Sequence, residues 1–228
     1  MSFHAAKTLA IAGIVLGAQA ASAGTIDLRN LPGNFDQQSW NGGGTRLYAQ
    51  SVVADDVNLA TFSFTPFLGA QALDYRVYVT GDRADGGGLG FAPDFSDIRF
   101  DSGDLTLPAG SGQAEQTFNP NLAVSLGERL FLVFDSLTSG GGSVPILATE
   151  FGAATDPYLD GEFVYSNLSY GAALDNAIGW DHRASNNEDL AILAVFNGGA
   201  QPTPEPEAAL LLGLGLAGVA AFRRRRRS

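Results

Sequence analysis

Between residues 24 and about 200, short apolar or alternating segments recur between clusters of Gly, Pro, Asn and Asp, and no segment sustains a helical period. That punctuation restricts the chain to an all-β fold. Candidate strands are Thr25 to Leu28, Arg46 to Val53, Leu59 to Phe64, Leu73 to Thr80, Asp97 to Asp101, Gln113 to Phe118, Arg129 to Asp135, Val144 to Phe151, Glu162 to Asn167 and Asp189 to Phe196. In the fourth of these, Tyr75, Val77 and Val79 lie on one face, the mark of a half-buried strand. Leu130 to Phe134 and Leu190 to Phe196 are nearly continuous apolar runs and read as central strands. Gly tripeptides at 42–44, 86–88 and 140–142 have no repeated sequence around them and read as loops. Ten or so strands in this length predict a two-sheet β-sandwich of jelly-roll type.

The two ends differ from this core. Lys7 supplies a positive charge, Leu9 to Ala18 an apolar run, and Ala21-Ser22-Ala23 an A-x-A cleavage site that leaves Gly24 as the new N-terminus, which together read as a signal peptide. At the other end Pro204-Glu205-Pro206 is followed by the apolar run Ala208 to Phe222 and by five arginines, Arg223, Arg224, Arg225, Arg226 and Arg227. The prolines favour a stiff, extended spacer. The apolar run has 15 residues, below the roughly 20 a helix needs to cross the hydrocarbon core. The arginines resist translocation and act as a cytoplasmic stop, leaving the folded part outside. The expected organisation is a signal peptide at 1–23, a β-sandwich at 24–200 and a sorting tail with a single hydrophobic helix at 201–228.

This tail resembles the PEP-CTERM sorting signal of Gram-negative bacteria. The resemblance implies general secretion, transient anchoring in the inner membrane with the domain in the periplasm, and cutting near Pro204-Glu205-Pro206 by exosortase, a membrane protease. It also implies delivery to the cell surface or extracellular matrix and a link with exopolysaccharide and biofilm. Within the core, Ala49 to Leu59 (AQSVVADDVNL), Phe100-Asp101-Ser102-Gly103 and Glu128 to Asp135 (ERLFLVFD) resemble jelly-roll domains, similar to carbohydrate-binding modules, that often precede such tails.

Charge and composition narrow the chemistry. Loss of the leader and of the terminal arginine cluster removes Lys7 and Arg223 to Arg227 from 13 basic residues, so seven arginines stand against 24 acidic residues, a formal charge of −17. Nucleic acid is therefore not an expected partner. With no cysteine, disulfides, thiolate metal sites and a cysteine nucleophile are ruled out. His4 leaves with the leader, so His182 is the one imidazole of the mature chain, and no Gly-x-Ser-x-Gly elbow is present. Two carboxylates that cleave a glycoside need only meet in space, so a polysaccharide-active enzyme stays as the alternative. The core glutamates Glu115, Glu128, Glu150, Glu162 and Glu188 form no clustered motif. The expectation is a non-enzyme that binds or organises exopolysaccharide, or else a self-associating structural matrix protein.

Sugars present apolar ring faces flanked by hydroxyls and favour aromatic side chains beside amides or carboxylates. The candidate glycan contacts are Trp180 with Asp181, near Tyr158, Asp160, Tyr165 and Tyr170, and Trp40 with Asn41. The alternative is that both tryptophans close the ends of the core. No cofactor is expected beyond a structural Ca²⁺, for which Asp82, Asp85 and Asp189 offer hard oxygen ligands.

Overall fold

The structure, a computed structural model, describes residues 24–29, 34–40, 45–68, 72–85, 90–110, 112–137, 144–150, 158–182 and 188–198. The leader and the tail, with Ala21, Ala23, Pro204, Glu205, Pro206 and Arg223 to Arg227, lie outside these residues.

The described residues form strands and no helix. In chain order the strands are β1 (Gly24–Asp27), β2 (Asn34–Trp40), β3 (Leu47–Val53), β4 (Asn58–Phe64), β5 (Phe67–Leu68) and β6 (Leu73–Ala84). Next come β7 (Phe91–Asp101), β8 (Leu105–Leu107), β9 (Gly112–Gln113), β10 (Gln116–Phe118), β11 (Leu122–Ala123) and β12 (Arg129–Ser136). The last are β13 (Val144–Glu150), β14 (Phe163–Ser166), β15 (Asp181–His182), β16 (Glu188–Leu190) and β17 (Ile192–Asn197).

Two antiparallel sheets dominate. One has seven strands in the order β15-β14-β3-β12-β6-β7, with β8 also on β6. The other has five, in the order β1-β17-β4-β10, with β11 also on β4. Smaller sheets join β16-β13-β2 and β5-β9. The expected strands are present, with two divided: Gln113 to Phe118 is broken between β9 and β10, and Asp189 to Phe196 between β16 and β17. The strands β2, β5, β8, β11 and β15 were not anticipated, and β7 begins at Phe91, ahead of the expected Asp97.

The two large sheets face one another across a core that alternation builds. Val77 and Val79 of β6, Leu130, Leu132 and Phe134 of β12, and Val52 of β3 come from the larger sheet. Leu59, Phe62 and Phe64 of β4 with Ile192, Ala194 and Phe196 of β17 come from the smaller. Phe64 and Phe134 meet across the gap with ring centroids 4.3 Å apart. Burying a Phe side chain contributes about 1.5–3 kcal/mol, so this seam carries much of the stability.

The larger sheet has a second core on its other face. Leu47 and Ala49 of β3, Tyr78 of β6, Phe131 and Val133 of β12, and Val164 of β14 pack there with Ile178 and Trp180. These residues alternate in register with those of the first core, so every side chain from Leu130 to Ser136 is buried.

Candidate functional site

The second core is closed by the connection from β14 to β15, which lays Leu168, Leu174, Ile178 and Trp180 over the sheet. Polar contacts hold this strap. Arg46 donates from Nη1 to the carbonyls of Ser169 (3.3 Å) and Ala172 (3.0 Å), and Arg83 Nη2 donates to Ile178 O (3.0 Å). Asn176 accepts from the Phe95 N–H (2.9 Å) and donates to Asp94 Oδ1 (2.8 Å). Gly171 takes a φ of 77° at the turn that the Ala172 N–H closes on Ser169 O, a left-handed conformation in which glycine has no steric cost.

Arg46 also forks onto Asp135, with Nε–Oδ1 2.5 Å and Nη2–Oδ2 2.8 Å, and both residues are buried. Burial pushes the Asp135 carboxyl upward and the contact with Arg46 pulls it back. The hydrogen bonds that Arg46 donates to Asp135 in turn raise the pKa of the guanidinium. The strap is thus tied, through Arg46, to a buried charged pair.

At the β14–β15 edge, register pairs Val164 with His182. His182 Nδ1 lies 3.0 Å from Glu162 Oε1, and its Nε2 lies 3.5 Å from Asp85 Oδ2. The Glu162 N–H donates to Ser51 Oγ (2.8 Å) while the Ser51 N–H donates to Glu162 O (3.0 Å). Arg129 donates to Ser51 Oγ and to Asp160 O, and its guanidinium sits 4.7 Å above the Phe91 ring centre. The imidazole, with its side chain 5% exposed, fills the space between the two carboxylates. A glycoside-cleaving pair needs that space for sugar and water.

Among the described residues, His182 Nε2 and Trp180 Nε1 are buried and make no hydrogen bond. They are two positions apart in the chain, beside exposed Asp181. The Trp180 ring does not offer its face: the residue is 8% exposed and Phe95 stacks on it at 6.3 Å and 22°. The backbone of Trp40 ends β2 opposite Val144, while its side chain lies outside the described part.

The three calcium candidates are apart in character. Asp82 is exposed on β6, Asp85 stands at His182, and Asp189 is buried with Oδ1 accepting from Gln50 Nε2 (2.7 Å). Gln50 Oε1 also accepts from the Leu190 N–H (2.8 Å), fixing β16 to β3. Among the described residues no three His, Cys, Asp or Glu side chains converge as a metal site.

The described arginines follow one pattern, which spacing in the sequence did not reveal. Arg29 bridges Asp27 and Glu115, Arg76 bridges Asp101 and Asp104, and Arg99 bridges Asp97 and Glu128. Arg76 holds the Asp101 carboxyl below its usual value, and Arg29 does the same for Asp27. Arg83 and Arg129 point at backbone carbonyls. Among the described residues, then, no arginine stands ready for a phosphate or an acidic polymer.

The PEP-CTERM protein-sorting motif matches residues 202–226. The chain therefore carries that sorting motif at its C-terminal end, and the β-rich core lies outside the match. Comparison with curated proteins finds no match. Among solved structures, the cysteine protease and lectin-like domains of Cwp84, a surface-layer-associated protein of Clostridium difficile, are similar over 68% of this chain and 32% of that one, with 11% identity and a TM-score of 0.42. Among the described residues no helix is long and apolar enough to cross a membrane.

Proposed function

Because residues 202–226 carry a PEP-CTERM sorting motif, we propose that this is an exported protein. General secretion machinery releases it behind a cleaved leader, and its tail holds it in the inner membrane with the core in the periplasm. Exosortase then cuts it for delivery to the cell surface or matrix. The motif is the observation that carries this reading. Intact mass of the native extracellular protein is expected to begin at Gly24 and to end between Pro204 and Glu207; recovering Arg227 outside the cell would overturn it.

For the core we propose a non-catalytic sandwich of jelly-roll type that binds or organises exopolysaccharide. Three of the close sets of carboxylates described above have an arginine between their members, Arg29, Arg76 or Arg99, and the His182 imidazole stands between Asp85 and Glu162. That arrangement supports binding or scaffolding over hydrolysis, which needs an open gap between two acids. The core takes no cofactor in this reading, with Ca²⁺ on its acidic loops as the one addition to test, by thermal unfolding in calcium and in chelator. The native processed protein is expected to be retained saturably on exopolysaccharide of the producing cell without shortening it. Shortened chains would establish the enzyme, and no retention would leave a self-associating structural role.

A further inference from the structure

β1 begins at Gly24, the residue that the A-x-A signature places directly after the leader. Gly24 is buried and pairs with Phe196 of β17. A Cβ at this position would lie 2.6 Å from Asp55 Oδ2, 2.7 Å from its Cβ and 2.8 Å from its Cγ. Bonds from Cα to N and to Cβ are each about 1.5 Å, so the Gly24 nitrogen lies within about 5 Å of the Asp55 carboxylate. Asp55 is exposed in the turn between β3 and β4 and can rotate towards it. Any side chain at residue 24 would occupy the space through which that carboxylate approaches.

We propose that Asp55 receives the α-ammonium group that leader cleavage creates at Gly24, so that maturation itself forms an ion pair fastening β1 to the β3–β4 turn. The inference rests on the export reading. Before cleavage the Gly24 nitrogen is an uncharged amide. Hydrolysis of the Ala23–Gly24 bond consumes one water and yields an Ala23 carboxylate and a Gly24 amine, which takes up a proton because α-amino groups titrate near about 7.7–8.0. A partner carboxylate raises that value. The ion pair therefore stabilises the mature fold below the ordinary amine value, and its contribution is lost as pH rises through the raised one.

The sequence allows a clean test, since Lys7 is its only lysine and leaves with the leader. The amine of Gly24 is then the single primary amine of the secreted chain. Reductive ¹³C-methylation of the full-length protein, secreted and processed, is expected to give one labelled amine. Its titration by NMR should lie about half a unit above that of Asp55→Asn, the size expected of an exposed ion pair. Raising the salt concentration should remove the same shift in the unsubstituted protein, a readout independent of any variant, and Asp56→Asn should keep it. An N-terminus other than Gly24 would overturn the cleavage reading. A start at Gly24 with equal titration in wild type and Asp55→Asn, insensitive to salt, would overturn the ion pair alone.

Discussion

The middle strands of the two large sheets, β12 and β17, are composed alike and buried differently. In β12 every residue from Leu130 to Ser136 is buried, because the smaller sheet covers one face and the strap the other. In β17 Ile192, Ala194 and Phe196 are buried while Leu193 and Val195 are half-exposed. The difference comes from elsewhere in the chain: the β14–β15 connection crosses the larger sheet, and no described segment does the same for the smaller. An apolar run reports that a strand can be covered, and the covering segment decides whether it is.

The largest effects should separate the two sheets. Phe131→Ala, under the strap, and Phe134→Ala, between the sheets, should each lower stability by about 3–5 kcal/mol in equilibrium denaturation. Val195→Ala on the open face should cost about 1 kcal/mol or less. Equal losses at Phe131 and Val195 would show that the strap does not seal the larger sheet. Arg46→Ala should cost about 3–5 kcal/mol by leaving Asp135 buried and uncompensated, and should free the strap, seen as a weakened near-ultraviolet signal from Trp180.

A smaller loss is expected at Gly161, where a Cβ would lie 2.2 Å from the Tyr158 ring and 2.7 Å from Ser51 O. Gly161→Ala should destabilise by about 1–3 kcal/mol and disturb the hydrogen bond from the Val53 N–H to the Tyr158 oxygen (2.8 Å).

Titration sharpens the comparison further. Tyr75 faces the core between the sheets and Tyr78 the core beneath the strap, yet burial pushes both phenols up to about 12, and Tyr158 likewise. These groups are neutral in the fold and ionise earlier when unfolded. Their stabilisation is thus complete below pH 10 and lost as pH rises through 12. Absorbance near 295 nm should show Tyr75, Tyr78 and Tyr158 titrating late. If Tyr78 titrates before Tyr75, the strap opens first. The smallest effect is at the acid end, where the lowered carboxyls of Asp27 and Asp101 contribute stability above 3.8 that fades as pH falls through their depressed values. Both are partly exposed, so substituting either with Asn should shift the acid midpoint only slightly.

Alternation at Tyr75, Val77 and Val79 made β6 legible, and the near-continuous apolar run Leu130 to Phe134 made β12 legible as a central strand. The strap was not legible. Leu168, Leu174, Ile178 and Trp180 follow neither a strand nor a helix period, and their order comes from Arg46, Arg83, Asp94 and Phe95, which bind the strap from distant positions. Trp180 stood out in the sequence as a candidate glycan contact, and its ring lies against Phe95. The carboxylates around His182 could not be paired from sequence, since Asp85, Glu162 and His182 meet only through strand register.

The inward use of arginine has a consequence for a crowd of these molecules. With every described guanidinium turned onto its own chain, the outward charge is left to the acids. Neighbouring copies repel at long range, and a dense layer of them must hold mobile cations to stay neutral. Those ions draw in water by osmosis, so the layer swells in dilute medium, tightens in salt or with divalent ions, and behaves as a hydrated ion-exchange gel.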